Sequence, residues 1–142
     1  MRKDIGIFRG KEFDTDKWVI GYLDAAAPPD YAYIITGDEK TCRVDPETVG
    51  EFTGFTDKNG KKIFEGDIVS YFGKDFLNSL VTFDKGSFWF EFLSEYTRKI
   101  RNQKRDLIFS NVSVCGEVIG NQYDNPELLK GCGEAKRDDT NA

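Results

Sequence analysis

The chain is 142 residues long, 39% hydrophobic and 14% aromatic, with a net charge of −5 from 20 basic and 25 acidic side chains. That is enough chain for one domain or two small ones, and enough apolar surface for a packed core, which excludes a disordered protein. An acidic balance also disfavours a general nucleic-acid coat, whose surface must be basic.

There is no histidine, so the commonest general base and metal ligand is missing. The three cysteines, Cys42, Cys115 and Cys132, are odd in number and far apart. That spacing indicates neither a zinc site nor a disulfide framework, and isolated thiols fit a reducing cytoplasm. No apolar run follows the charged N-terminus, and no stretch approaches the ~20 apolar residues of a membrane span. The expectation is a cytoplasmic protein, with no membrane attachment and no cofactor.

In chain order, Ile5–Phe8 and Trp18–Leu23 read as a hairpin with a long loop. Ala25–Asp30, with its paired prolines, reads as a loop. Tyr31–Ile35 and Thr41–Val44 are strand candidates. Asp45-Pro46-Glu47-Thr48-Val49-Gly50 reads as one helical turn, capped by Asp45, started by Pro46 and closed by a left-handed Gly50. The weakest seam falls at about residue 50.

Asn59-Gly60 predicts a two-residue type I′ hairpin. Glu65-Gly66-Asp67 is a second turn that launches a strand, Ile68–Phe72. Gly73–Leu80 reads as an inserted loop. Val81–Phe83, a turn at Asp84-Lys85-Gly86 and Phe88–Leu93 form another hairpin. In its second strand Phe88, Phe90 and Phe92 share one face and Trp89 the other. Residues 98–105 form a polar, basic segment, and Val112–Ile119 alternates like a strand. Asp124-Asn125-Pro126-Glu127 predicts a last helical turn.

Short strands with turn signals every 8–12 residues predict an all-β (mainly β) fold. The reading is an N-terminal β subdomain over 1–50, a C-terminal barrel-like subdomain over 51–129, and a flexible tail over 130–142.

Several blocks occur together in order: Trp18-Val-Ile-Gly-Tyr, Val44-Asp-Pro-Glu-Thr-Val-Gly, Thr53-Gly-Phe-Thr-Asp-Lys-Asn-Gly-Lys, Phe64-Glu-Gly-Asp-Ile-Val and Val118-Ile-Gly-Asn-Gln-Tyr-Asp-Asn-Pro-Glu-Leu-Leu. The chain so resembles the YopX family of small proteins encoded by phages and prophages. The resemblance covers about residues 1–129. It implies a mostly β protein with two small β subdomains, expressed in the bacterial host, with no established activity and no catalytic residues to carry over.

Glu65 and Asp67, with Asp57, have the composition of an acid–base pair or a Mg²⁺ site. Ordinary turn chemistry accounts for them as well and is preferred. Cys115 lacks a histidine to activate it, and its alternating position points to a packed thiol. Trp89, facing away from the phenylalanines, and Tyr96 are the candidate interaction surface for a host or phage protein, or for an identical chain. The alternative is a nucleic-acid site in which Lys58, Arg98, Arg101 and Lys104 meet phosphates and Tyr71, Trp89 and Tyr96 stack on bases.

Overall fold

A computed structural model describes residues 5–24, 31–108 and 111–130. The loop expected at 25–30, Cys132 and the expected tail beyond Lys130 lie outside the described residues. The chain divides into two compact units, Met1–Gly54 and Phe55–Ala142. It is mostly β, with two antiparallel sheets, one of them curled into a half-barrel.

In the first unit, β1 (Ile7–Lys11), β2 (Trp18–Asp24), β3 (Ala32–Ile35) and β4 (Thr41–Val44) form an antiparallel meander, and β5 (Gly50–Thr56) pairs with the other edge of β1. The alternation of side chains dictates two faces. Ala32, Ile34 and Val44 are buried on one face, packed by Phe8, Val19 and Leu23. The other carries the cross-strand row Ile7, Tyr22 and Ile35. The far edge of β4 returns to the end of β1, where Glu12 bridges Val44 and the Asp45 N–H donates to the Lys11 carbonyl at 2.9 Å. Gly21 is required where β2 crosses β3, since a Cβ there would lie 2.0 Å from the Ile35 carbonyl oxygen.

Asp45 caps a single 3₁₀ turn, Pro46–Thr48, by accepting from the Glu47 N–H at 3.0 Å, as its sequence predicts. Gly50 does not close that turn. The last turn residue is followed by Val49 in an extended conformation, and Gly50 already belongs to β5.

The second unit contains β6 (Lys62–Phe64), β7 (Asp67–Tyr71), β8 (Lys74–Asp84), β9 (Ser87–Phe92), α1 (Glu95–Arg101), β10 (Arg105–Leu107), α2 (Val112–Cys115), β11 (Gly116–Asn121) and a 3₁₀ turn, Pro126–Lys130. β6 extends the first sheet beyond β5; the second sheet runs β10-β9-β8-β7-β11. Ile63, Val69, Tyr71, Val81, Phe90 and Val112 form its buried core, with Cys115 and Val118 packed against it. The last turn falls at Pro126, where the cap–Pro–Glu pattern places it.

Three local expectations are corrected, and one segment without an assignment is resolved. The segment expected as a loop, 73–80, is from Lys74 onward the first part of the 11-residue β8: Lys74, Ser79 and Leu80 oppose β7, and Ser79 and Leu80 also oppose β9. The basic segment, read from sequence only as polar, begins on a helix, Glu95–Arg101, which ends at Asn102, whose left-handed φ of 53° closes it as a glycine would. The strand expected from Val112 begins only at Gly116. Val112 is fully buried while Val114 is 74% exposed, which a helical turn produces and an alternating strand does not. Asn59-Gly60 makes no type I′ turn: only Gly60 has a positive φ. The Gly60 N–H donates to the Asp57 carbonyl and the Asp57 N–H to the Lys61 carbonyl, a type I turn followed by a left-handed glycine.

Candidate functional site

The two-residue turns of the second unit bear on its site. Lys85-Gly86 joins β8 to β9 with φ of 51° and 79°. Phe72-Gly73 joins β7 to β8 with φ of 56° and 67°. Both are type I′ geometries, which match strand twist and favour asparagine or glycine at the first position. A phenylalanine there is an outlier, costing about 1–2 kcal/mol for the left-handed backbone. The Phe72 N–H donates to the Cys115 carbonyl at 3.2 Å, so contacts remote in sequence hold the turn. The strained residue leaves its ring 66% exposed.

Phe72 stands at the edge of a cavity of about 190 Å³. Tyr71 from β7, Leu77 from β8 and Phe90 and Phe92 from β9 form its apolar wall. Tyr71 and Phe90 meet edge to face, ring centroids 5.6 Å apart. Burial raises the Tyr71 phenol far above its ordinary value, and the neighbouring Cys115 thiol adds to the rise. Polar groups enter from Arg101, Asp106 and Asn111. Arg101 pairs with Asp106 and lies 5.3 Å over the Phe92 ring. Gln103 also donates to the Asp106 carboxylate.

Sequence reasoning named Arg101 for another purpose and missed Phe72, Asp106 and Asn111. The available signal for Phe72 was a bulky residue before glycine at a strand end, where asparagine is the economical choice.

Trp89 does face away from Phe90 and Phe92, but its ring is not bare. Its indole N–H donates to the Asp84 carbonyl at 2.9 Å, and the Arg105 guanidinium stacks 3.9 Å over the ring while bonding the Asp84 carboxylate at 3.0 Å. Tyr96 on α1 is 39% exposed and packs edge to face on Phe76. Arg98 Nε donates to the Phe92 carbonyl at 2.8 Å, securing α1 to β9. Lys58 and Lys104 are exposed. The structure therefore brings Arg101 into the cavity lining, leaves Trp89, Lys58, Arg98 and Lys104 outside that lining, and gives Arg98 and Arg101 partners within the chain.

The acidic turn residues hold backbone. The buried Asp57 carboxylate accepts from the N–H groups of Asn59, Lys61 and Val118, each at 2.9 Å. Burial pushes its acidity down, but those three donors and the Lys61 charge outweigh that and hold its pKa below the usual carboxylate range. Asp67 is buried and accepts from the Phe64 N–H at 2.8 Å. Among the described residues no group of three or more Cys, Asp or Glu is placed to hold a metal ion. Among the same residues no helix is long and apolar enough to cross a membrane.

Fold and site define a small, mostly β protein of two antiparallel sheets, with an aromatic-walled cavity on its second unit. The chain belongs to the YopX family: the family model, described as YopX protein, matches residues 8–130. It is similar to a solved structure, the crystal structure of protein EF1440 from Enterococcus faecalis, with 26% identity, a TM-score of 0.52, and coverage of 86% of this chain and 96% of that one. No curated protein matches the chain.

Proposed function

We propose that this protein is a non-enzymatic, phage- or prophage-encoded accessory module of the host bacterial cytoplasm. Its role is to bind a protein partner, or a second copy of itself, by taking one side chain into the cavity beside Phe72. The observation that carries this reading is Phe72 itself. A chain that accepts a strained backbone to hold a ring mostly in the open beside an apolar cavity gains little net stability from doing so. Such residues cluster where something is recognised. A cavity of about 190 Å³ is smaller than the roughly 300–1,000 Å³ of small-molecule sites, and suits a single anchoring side chain.

Nucleic-acid binding through the 98–105 segment is the less favoured reading. Arg98, Arg101 and Arg105 are engaged within the chain, which leaves fewer cations for phosphates.

The test is affinity capture from host cells with the wild-type protein and with Phe72→Asn as baits, alongside light scattering of the pure protein. A partner, or a dimer, present with the wild type and lost with the variant is expected. Identical captured proteins and identical masses for both would refute the reading.

A further inference from the structure

We propose that the segment entering the cavity is acidic, with carboxylates on both sides of one large apolar side chain. This rests on the reading of the cavity as a docking site and adds the chemistry of its occupant.

The charge around the cavity is opposite to that of the chain. The Phe92 N–H donates to the Lys104 carbonyl at 3.0 Å, continuing the register in which Asp106 opposes Phe90. Residues directly opposed in an antiparallel pair share a face, so Lys104 lies on the face of Phe92 and the cavity. Lys74 opposes Tyr71 in the same way at the other end of the wall. Both lysines are exposed, and neither forms an ion pair among the described residues. The one carboxylate in the lining, Asp106, is already bonded by Arg101 and Gln103. Glu91 opposes Arg105, and that register puts it on the face of Trp89.

An apolar cavity flanked by free lysines, on a chain of net charge −5, is complementary to an apolar anchor with acidic neighbours. The cavity walls favour a polypeptide over a nucleic acid. Tyr71 and Phe90 meet at 81°, edge to face, and present no pair of parallel platforms for a stacked base.

Fluorescence anisotropy tests this with the full chain and four probes: a labelled peptide of Asp and Glu around a central Phe, the same peptide with Asn and Gln for the acids, the same with Ala for Phe, and an oligothymidine. Binding of the first peptide is expected, weakened about tenfold by high salt, by the amide peptide and by Lys74→Glu combined with Lys104→Glu. Equal binding of the acidic and amide peptides overturns the acidic inference and leaves the docking cavity standing. Equal binding of the Phe and Ala peptides overturns the docking cavity itself. No binding of the acidic Phe peptide at about 1 mM overturns the inference, as does tighter binding of the oligothymidine that the double variant abolishes. The substituted lysines are exposed, and a thermal melt matching wild type confirms that the variant is folded.

Discussion

Replacing Phe72 by asparagine separates a residue kept for recognition from one kept for the core. The ring is 66% exposed, so about a third of its surface is covered. A fully covered phenylalanine buries roughly 150–250 Å², so Phe72 buries about 50–80 Å², and its removal costs about 1–2 kcal/mol. Asparagine takes the left-handed conformation far more readily and makes the preferred Asn-Gly pair with Gly73, which recovers about 1–2 kcal/mol of strain. The two terms nearly cancel, and the net change is expected within about 1 kcal/mol. Phe90, 1% exposed in the same wall, has no such compensation: Phe90→Ala is expected to cost about 3–5 kcal/mol. Urea denaturation compares the midpoints at unchanged m-value. A loss above about 3 kcal/mol for Phe72→Asn would refute the reasoning, because it would mean the ring is worth as much as a core side chain.

Asp57→Asn places an amide donor against one of three backbone N–H groups and should cost about 1–3 kcal/mol. The folded pKa of Asp57 lies below its unfolded value near 3.9. Its contribution is therefore present above that value and is lost as pH falls through the folded pKa; a denaturant series in acid should show a smaller loss of stability on acidification for the variant than for wild type. Gly21→Ala drives a Cβ to 2.0 Å from the Ile35 carbonyl oxygen, and amide exchange in β2 and β3 should quicken together; unchanged protection would show that the clash is relieved without loosening the strand pairing. Tyr71 has its phenol pKa raised by burial first and by Cys115 second. The contribution of its neutral form is full below the unfolded value near 10 and falls as pH rises through the higher folded one. Absorbance titration of the native protein to about pH 11 should accordingly be the same for wild type and Tyr71→Phe.

Much of the fold was legible where a local rule suffices. Asp45-Pro46 and Asn125-Pro126 lead into their turns because proline fixes φ at the first position, and at the first of them the Asp45 side chain also caps the Glu47 amide. Phe90 and Phe92 point inward and Trp89 outward because strand side chains alternate. The turn at Lys85-Gly86 lies where glycine allows a positive φ. Local rules failed where two periods fit the same residues. Val112 and Val114 suit a strand or a helical turn equally well over four positions, and only the burial of Val112 against Val69 and Tyr71 decided between them. The stretch 73–80 carries Gly, Lys, Asp, Asn and Ser, a loop-like composition, yet pairing of Lys74 with β7 and of Ser79 and Leu80 with both β7 and β9 makes it strand from Lys74.

The site was less legible than the fold. Arg101 and Lys104 were conspicuous as charges, but nothing adjacent to them in sequence told which apolar wall they border. Tyr71, Leu77 and Phe92 come from three strands and meet only through the register of the second sheet.

What the amino-acid order alone determined is the mainly β class, the position of most turns and the inward or outward direction of each side chain on the strands it revealed, because all of these depend on a residue and its near neighbours. What only the tertiary structure decided is the helical start at Val112, the long β8, the left-handed Phe72 and the cavity beside it. Each depends on hydrogen bonds or contacts between residues tens of positions apart, such as the one from Phe72 to Cys115, and no local preference encodes those.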